Sequence, residues 1–109
     1  MDPITIDDLS KVEIRIGEIK SALPIEGSEK LLKLNVNFGT EERQVLSGIA
    51  KYFPEPGALV GKRCAFVTNL APRMMMGLES QAMILATGGD GETPFALFET
   101  SGEPGARAR

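Results

Sequence analysis

Ser47-Gly48-Ile49-Ala50-Lys51-Tyr52-Phe53-Pro54-Glu55-Pro56-Gly57 is the stretch on which the fold turns. Ser47 can cap a short helix, Ile49 has Tyr52 and Phe53 at i+3 and i+4, and the Pro54-to-Gly57 run stops it. On both sides the apolar period drops to two. Upstream, Lys30 through Phe38 sets Leu32, Leu34, Val36 and Phe38 inward, with Lys33, Asn35 and Asn37 outward. Gly39-Thr40-Glu41 turns the chain, and Arg43 to Ser47 makes a third strand. Downstream, a buried strand is expected from about Lys62 to Asn69 and another from Ser80 to Ala86. Leu70 to Glu79 lies between them as a loop. Phe95 to Phe98 adds a sixth strand after the Gly88-Gly89-Asp90-Gly91 turn, and its apolar side chains suit either barrel packing or self-association.

The first strand, Val12-Glu13-Ile14-Arg15-Ile16-Gly17, alternates strictly, so Val12, Ile14 and Ile16 are expected on the core face. A bulge at Gly17 would return Ile19 to the inside and bend the strand. Small closed barrels need such a strand, because it must pair on both sides. Three strands, a short helix, two closing strands and an extension is OB-fold order. The predicted class is therefore all-β: a β-barrel with a short helix, an OB-fold with a C-terminal strand extension, as a single domain over residues 1–109.

Composition excludes more than it suggests. The chain has no His, which removes imidazole acid–base chemistry and His metal ligation. Cys64 is the only cysteine, so neither an internal disulfide nor a multi-cysteine zinc site can form. Its place in Lys62-Arg63-Cys64-Ala65-Phe66-Val67 reads as a small buried apolar residue. Carboxylate pairs such as Asp7-Asp8 and Glu41-Glu42 have no paired base. No cofactor and no catalytic role is expected. Residues 1–8 show no basic, apolar leader pattern, and no apolar run nears the ~18 residues of a membrane span, so a cytoplasmic setting is expected.

OB-folds bind oligonucleotides on strands two and three and the flanking loops. Lys30 and Lys33 open the second strand, Arg43 sits in the third, and Arg73 lies between strands four and five. These four cations are expected near one side. Twelve basic against fifteen acidic residues gives a net charge of −3, so any polyanion must be held by a local patch and by shape. One Tyr and five Phe, of which Phe38, Phe66 and Phe98 read most simply as core, offer few stacking platforms, which favours recognition of a folded RNA through its backbone.

The segments Val12-Glu13-Ile14-Arg15-Ile16-Gly17, Gly27-Ser28-Glu29-Lys30-Leu31-Leu32, Arg43-Gln44-Val45-Leu46-Ser47-Gly48-Ile49, Asn69-Leu70-Ala71-Pro72-Arg73 and Ser80-Gln81-Ala82-Met83 match a known pattern. In order, over about residues 4–109, they resemble the tRNA-binding domain at the C-terminus of bacterial methionyl-tRNA synthetase and its stand-alone relatives. The resemblance implies an OB-fold, a homodimer, and binding to the outer corner of tRNA, with a synthetase catalytic region in cis or trans as a further partner. It assigns RNA contact to Lys30, Lys33, Arg43, Asn69, Arg73, Ser80 and Met83. Two positions depart from the pattern: Met74 replaces a loop Lys, and Ala82 replaces a Gly. Members resembling export chaperones suggest the alternative of a peptide-holding dimer.

Overall fold

The computed structural model describes residues 1–109. Its elements are α1 (Ile6–Leu9), β1 (Ile14–Pro24), β2 (Leu32–Asn37), β3 (Glu42–Ser47), two 3-10 turns (Ala50–Tyr52 and Pro56–Leu59), β4 (Arg63–Val67), β5 (Arg73–Met75), β6 (Leu78–Ser80), β7 (Met83–Ile84), β8 (Ala86–Thr87) and β9 (Ala96–Leu97). Five strands make one curled antiparallel sheet in the order β3-β2-β1-β4-β7. β1 is long because it serves two neighbours, residues 18–24 lying on β2 and 14–18 on β4. The β5–β6 hairpin and the β8–β9 pair complete an OB-like barrel. No helix is long and apolar enough to cross a membrane.

β2 follows its sequence pattern: Leu32, Leu34 and Val36 are buried, with Lys33, Asn35 and Asn37 on the other face. They join Ile19, Val45, Leu59, Cys64 and Phe66 in the core, where the Phe38 and Phe66 rings meet edge to face at 5.3 Å. Cys64 is fully buried, and burial raises its thiol pKa to about 11.

β1 takes the opposite phase from the one its alternation suggests. Gly17 and Ile19 face the core, whereas Val12 is exposed and Ile14 and Ile16 are only half-buried. The reason is space. A Cβ at Gly17 would stand 2.4 Å from Val36 Cγ1 and 2.8 Å from Phe38 Cε1, so only glycine fits beneath those side chains. The bulge comes later, between Ile19 and Ser21, and returns Ala22 to the core. Ile14 and Ile16 are covered from outside by the C-terminal segment, whose Ala108 N–H donates to Ile14 O and whose Gly105 N–H donates to Ile16 O.

Three further differences are local. The short helix is a pair of 3-10 turns, Ser47 belongs to β3, and no side chain caps the first turn at Ile49. The 70–79 loop contains a hairpin whose two turn residues, Met76 and Gly77, have φ of 52° and 77°. Such positive values suit a two-residue turn that follows strand twist. Phe98, expected in the core, is 49% exposed.

The free edge of β3 is closed largely by side chains. Gln44 N–H donates to Gln81 Oε1 (2.9 Å), Leu46 N–H donates to Ser80 Oγ (3.0 Å), and Gln81 N–H donates to Gln44 O (2.9 Å). Ser80 Oγ donates onward to Ala82 O at 3.1 Å. Arg43 lies opposite Val36 across the β2–β3 ladder, so it points to the interior side. There its Nη1 donates to Thr68 O (2.7 Å) and Gln81 O (3.2 Å).

The same end of the barrel holds Glu13. Arg15 Nε and Thr68 Oγ1 each donate to Glu13 Oε1 at 2.7 Å. Those bonds, Arg15's first and Thr68's second, lower its pKa from 4.5 to about 2.

Gly17→Ala should destabilise by about 1–3 kcal/mol through overpacking, lowering the melting temperature by roughly 4–8 °C per kcal/mol. An unchanged melting curve would contradict the close packing over Gly17. Glu13 has a depressed folded-state pKa, so its contribution is complete above about 4.5 and disappears as pH falls toward about 2. The melting temperature of Glu13→Gln should therefore fall less than wild type's between pH 5 and pH 2.5. Identical acid limbs would refute the assignment.

Candidate nucleic-acid interface

Lys33 leaves the outer face of β2 directly opposite Leu46 of β3 and Leu23 of β1. Leu46 in turn walls a small cavity with Leu70, Arg73, Met75, Ser80 and Met83, which brings the hairpin and β7 to the edge of the same face. The β1–β2 loop closes the other side. At Gly27 a Cβ would lie 3.6 Å from Met76 Cε, so this loop and the hairpin tip come into contact. Lys30 ends that loop, and its carbonyl accepts from Ala50 N–H, which places Lys51 beside it. Lys33, Arg73 and Met83 are thus brought to one face around Leu46, Lys30 ends the loop beside it, and the Lys51 side chain turns toward Tyr52 and the Gly89–Phe95 loop.

The other three expected contact residues are scaffold. Arg43 is turned inward, its guanidinium is 2.6 Å from Glu41 Oε1, and it lies 5.7 Å from the Phe38 ring centre. It does not share a face with Lys33. Ser80 is buried, its hydroxyl committed to Leu46 N–H and Ala82 O. Asn69 clamps the start of β1, accepting from Glu13 N–H (2.8 Å) and donating to Lys11 O (2.7 Å).

Ion pairing explains how an acidic chain keeps a cationic surface. Lys11, Arg15, Lys20, Arg43, Lys62 and Arg63 each pair with a carboxylate. Lys30, Lys33, Lys51 and Arg73 pair with none. Lys51 Nζ instead lies 5.0 Å from the Tyr52 ring centre. Arg107 and Arg109 also pair with none, and they line the groove beside α1, whereas Lys33 and Arg73 both border Leu46 at the β2–β3 face. No group of three or more His, Cys, Asp or Glu side chains is placed to hold a metal ion.

Lys51, read in the sequence only as part of a helical turn, is a further unpaired cation; its signal was adjacency to Ile49-Ala50, which the barrel brings back to the start of β2. Gln81 carried no comparable signal, since nothing in its neighbours marks an amide that closes a seam.

Arg73 and Lys33 can each meet a phosphate, and the hairpin and β1–β2 loop frame them as OB-folds frame a strand. A family model described as "Putative tRNA binding domain" matches residues 14–107. The methionine–tRNA ligase of Caldanaerobacter subterraneus subsp. tengcongensis is 43% identical over 107 residues, which is 98% of this chain and 17% of the ligase. The chain therefore spans about a sixth of that relative's length. Among solved structures, the MetRS related protein from Pyrococcus horikoshii superposes with a TM-score of 0.91 at 36% identity, covering 100% of both chains. The CsaA chaperone protein from Picrophilus torridus does so at 0.85 and 28% identity, covering 98% of this chain and 100% of that one. The chain belongs to the tRNA-binding domain family.

Proposed function

We propose that this domain holds tRNA by backbone and shape through Lys30, Lys33, Lys51 and Arg73. It works as a homodimer in the cytoplasm, as the appended domain of a methionyl-tRNA synthetase or as a free-standing partner of one. What supports this reading is that Lys30, Lys33, Lys51 and Arg73 have no carboxylate partner in a chain whose net charge is −3, with Lys33 and Arg73 both bordering Leu46. Its contribution is binding rather than bond-making. Flexible lysines act as point charges for phosphates, and Arg73 can fork onto one. Asn35 and Gln44, opposite each other on the outer face, add neutral donors and acceptors for sugars and phosphates.

Four phosphate contacts imply a salt slope of roughly −3 to −4, so one such face binds weakly at physiological salt. A second copy offsets this by raising effective concentration, with a gain on the order of 10²–10⁴. A suitable face is present. Ile6 (77% exposed) and Leu9 of α1, with Val12, Ile14 and Ala108, line a largely apolar open groove of about 550 Å³ that Ser10, Arg107 and Arg109 border. Contiguous exposed apolar surface of this kind marks association sites, and a self-complementary patch pairs by a two-fold axis. α1 is held by its capping box, Thr5 Oγ1 accepting from Asp8 N–H while Asp8 accepts from Thr5 N–H.

Lys33→Glu with Arg73→Glu should weaken tRNA binding at least about tenfold and flatten the salt slope by roughly two, without loss of fold. Gel shift across a salt series checks it, and undiminished retention would count against this face. Leu9→Asp should convert the dimer to a monomer in sedimentation and weaken tRNA binding with the slope per subunit retained. A monomeric wild-type protein would defeat the dimer proposal.

A further inference from the structure

Beside Arg73 the surface dips into a cavity of about 60 Å³ walled by Leu46, Leu70, Met75, Ala82 and Met83, with Ser80 at its base. No carboxylate lines it. Leu70 and Met83 are each nearly half exposed, at 46% and 45%. Arg73, on its rim, pairs with no acid. Ser80 has its hydrogen bonds already, so the cavity's free chemistry is apolar surface beneath one cation. Its volume is that of about two waters in the liquid. It can take the edge of a flat ring laid across its mouth.

A nucleotide divides in the same way, into a flat apolar ring face and an anionic linkage. Unstacked bases in RNA usually rest on aromatic rings or guanidinium planes. Here the one large aromatic side chain with marked exposure, Phe98, follows β9, on a segment whose carbonyl bonds Ala65 of β4. Methionine supplies a polarizable and adaptable surface instead. The hairpin's register sorts its methionines: Arg73 and Met75 line the cavity, whereas Met74, opposite Glu79, lies on the other face.

We propose that this cavity receives an unstacked base of bound RNA, with the ring against Met75 and Met83 and Arg73 on the adjoining phosphate. The proposal rests on the tRNA-binding reading above and adds a base-contacting subsite to it. The cationic rim favours RNA over a peptide.

The test compares wild type, Met75→Gln/Met83→Gln, Met83→Gln alone and Met74→Gln. Melting curves establish that each folds, and the exposed single variant serves if the double one does not. The probes are bulk tRNA and long-chain inorganic polyphosphate, which has charge but no bases. The cavity variants should lose about tenfold in tRNA affinity, the scale of one base stack. They should keep the wild-type salt slope and polyphosphate affinity, and Met74→Gln should match wild type. Cavity variants that bind tRNA as wild type does, or that lose both probes equally, would overturn the subsite while leaving the cationic face standing. Wild type that binds no tRNA at low salt, or that instead holds hydrophobic peptides regardless of salt, would overturn both.

Discussion

The edge of β3 must be satisfied, and the way it is satisfied shapes the rest of the surface. An open edge leaves backbone N–H and C=O groups unpaired and invites pairing with another chain. Here no long strand covers it. Ser80 and Gln81 supply a hydroxyl, an amide oxygen and an N–H to Gln44 and Leu46, and Arg43 crosses the barrel end to Thr68 and Gln81 carbonyls. Short polar side chains thereby replace a ladder. Because Ser80 ends β6, the same bonds hold the hairpin beside β3 and bring Arg73 toward the Lys33 row. Position of charge follows from closure of the barrel.

Electrostatics then acts by distribution rather than by total. Six basic side chains are neutralised locally, and the exposed pairs among them contribute little to stability. Their effect is to leave Lys33 and Arg73 unneutralised at the proposed RNA face, with repulsion from acidic surroundings discouraging indiscriminate polyanion binding. The CsaA chaperone protein, at 28% identity, has the same barrel. Fold alone therefore does not choose between RNA and peptide, and the proposal of RNA turns on the free cations.

The strand order was legible because β2 alternates cleanly and the 3-10 turns interrupt the pattern between β3 and β4. The phase of β1 was not. Its apolar residues, Val12, Ile14 and Ile16, serve the C-terminal segment and an outer groove, while the inward set includes a glycine that contributes no hydrophobic signal. Phe98 was misplaced for a related reason: an aromatic in a short strand carries no mark of which side is covered. At the site, Lys30, Lys33 and Arg73 were legible from their places on the barrel. Arg43 shares parity with Val45, and that parity already carried its inward direction. Asn69 and Ser80 fit the family pattern equally well as contacts or as clamps, and only the hydrogen bonds they make separate the two roles.

Arg43 tests this division most directly, since a cation at the RNA surface and a cation closing the barrel respond differently to loss of charge. The measurement is the salt dependence of tRNA binding by Arg43→Gln, taken with its melting temperature under conditions where it remains folded. A lower melting temperature with the wild-type slope is predicted, because Arg43 meets carbonyls and Glu41 rather than phosphate. An unchanged melting temperature with a slope shallower by about one would contradict it.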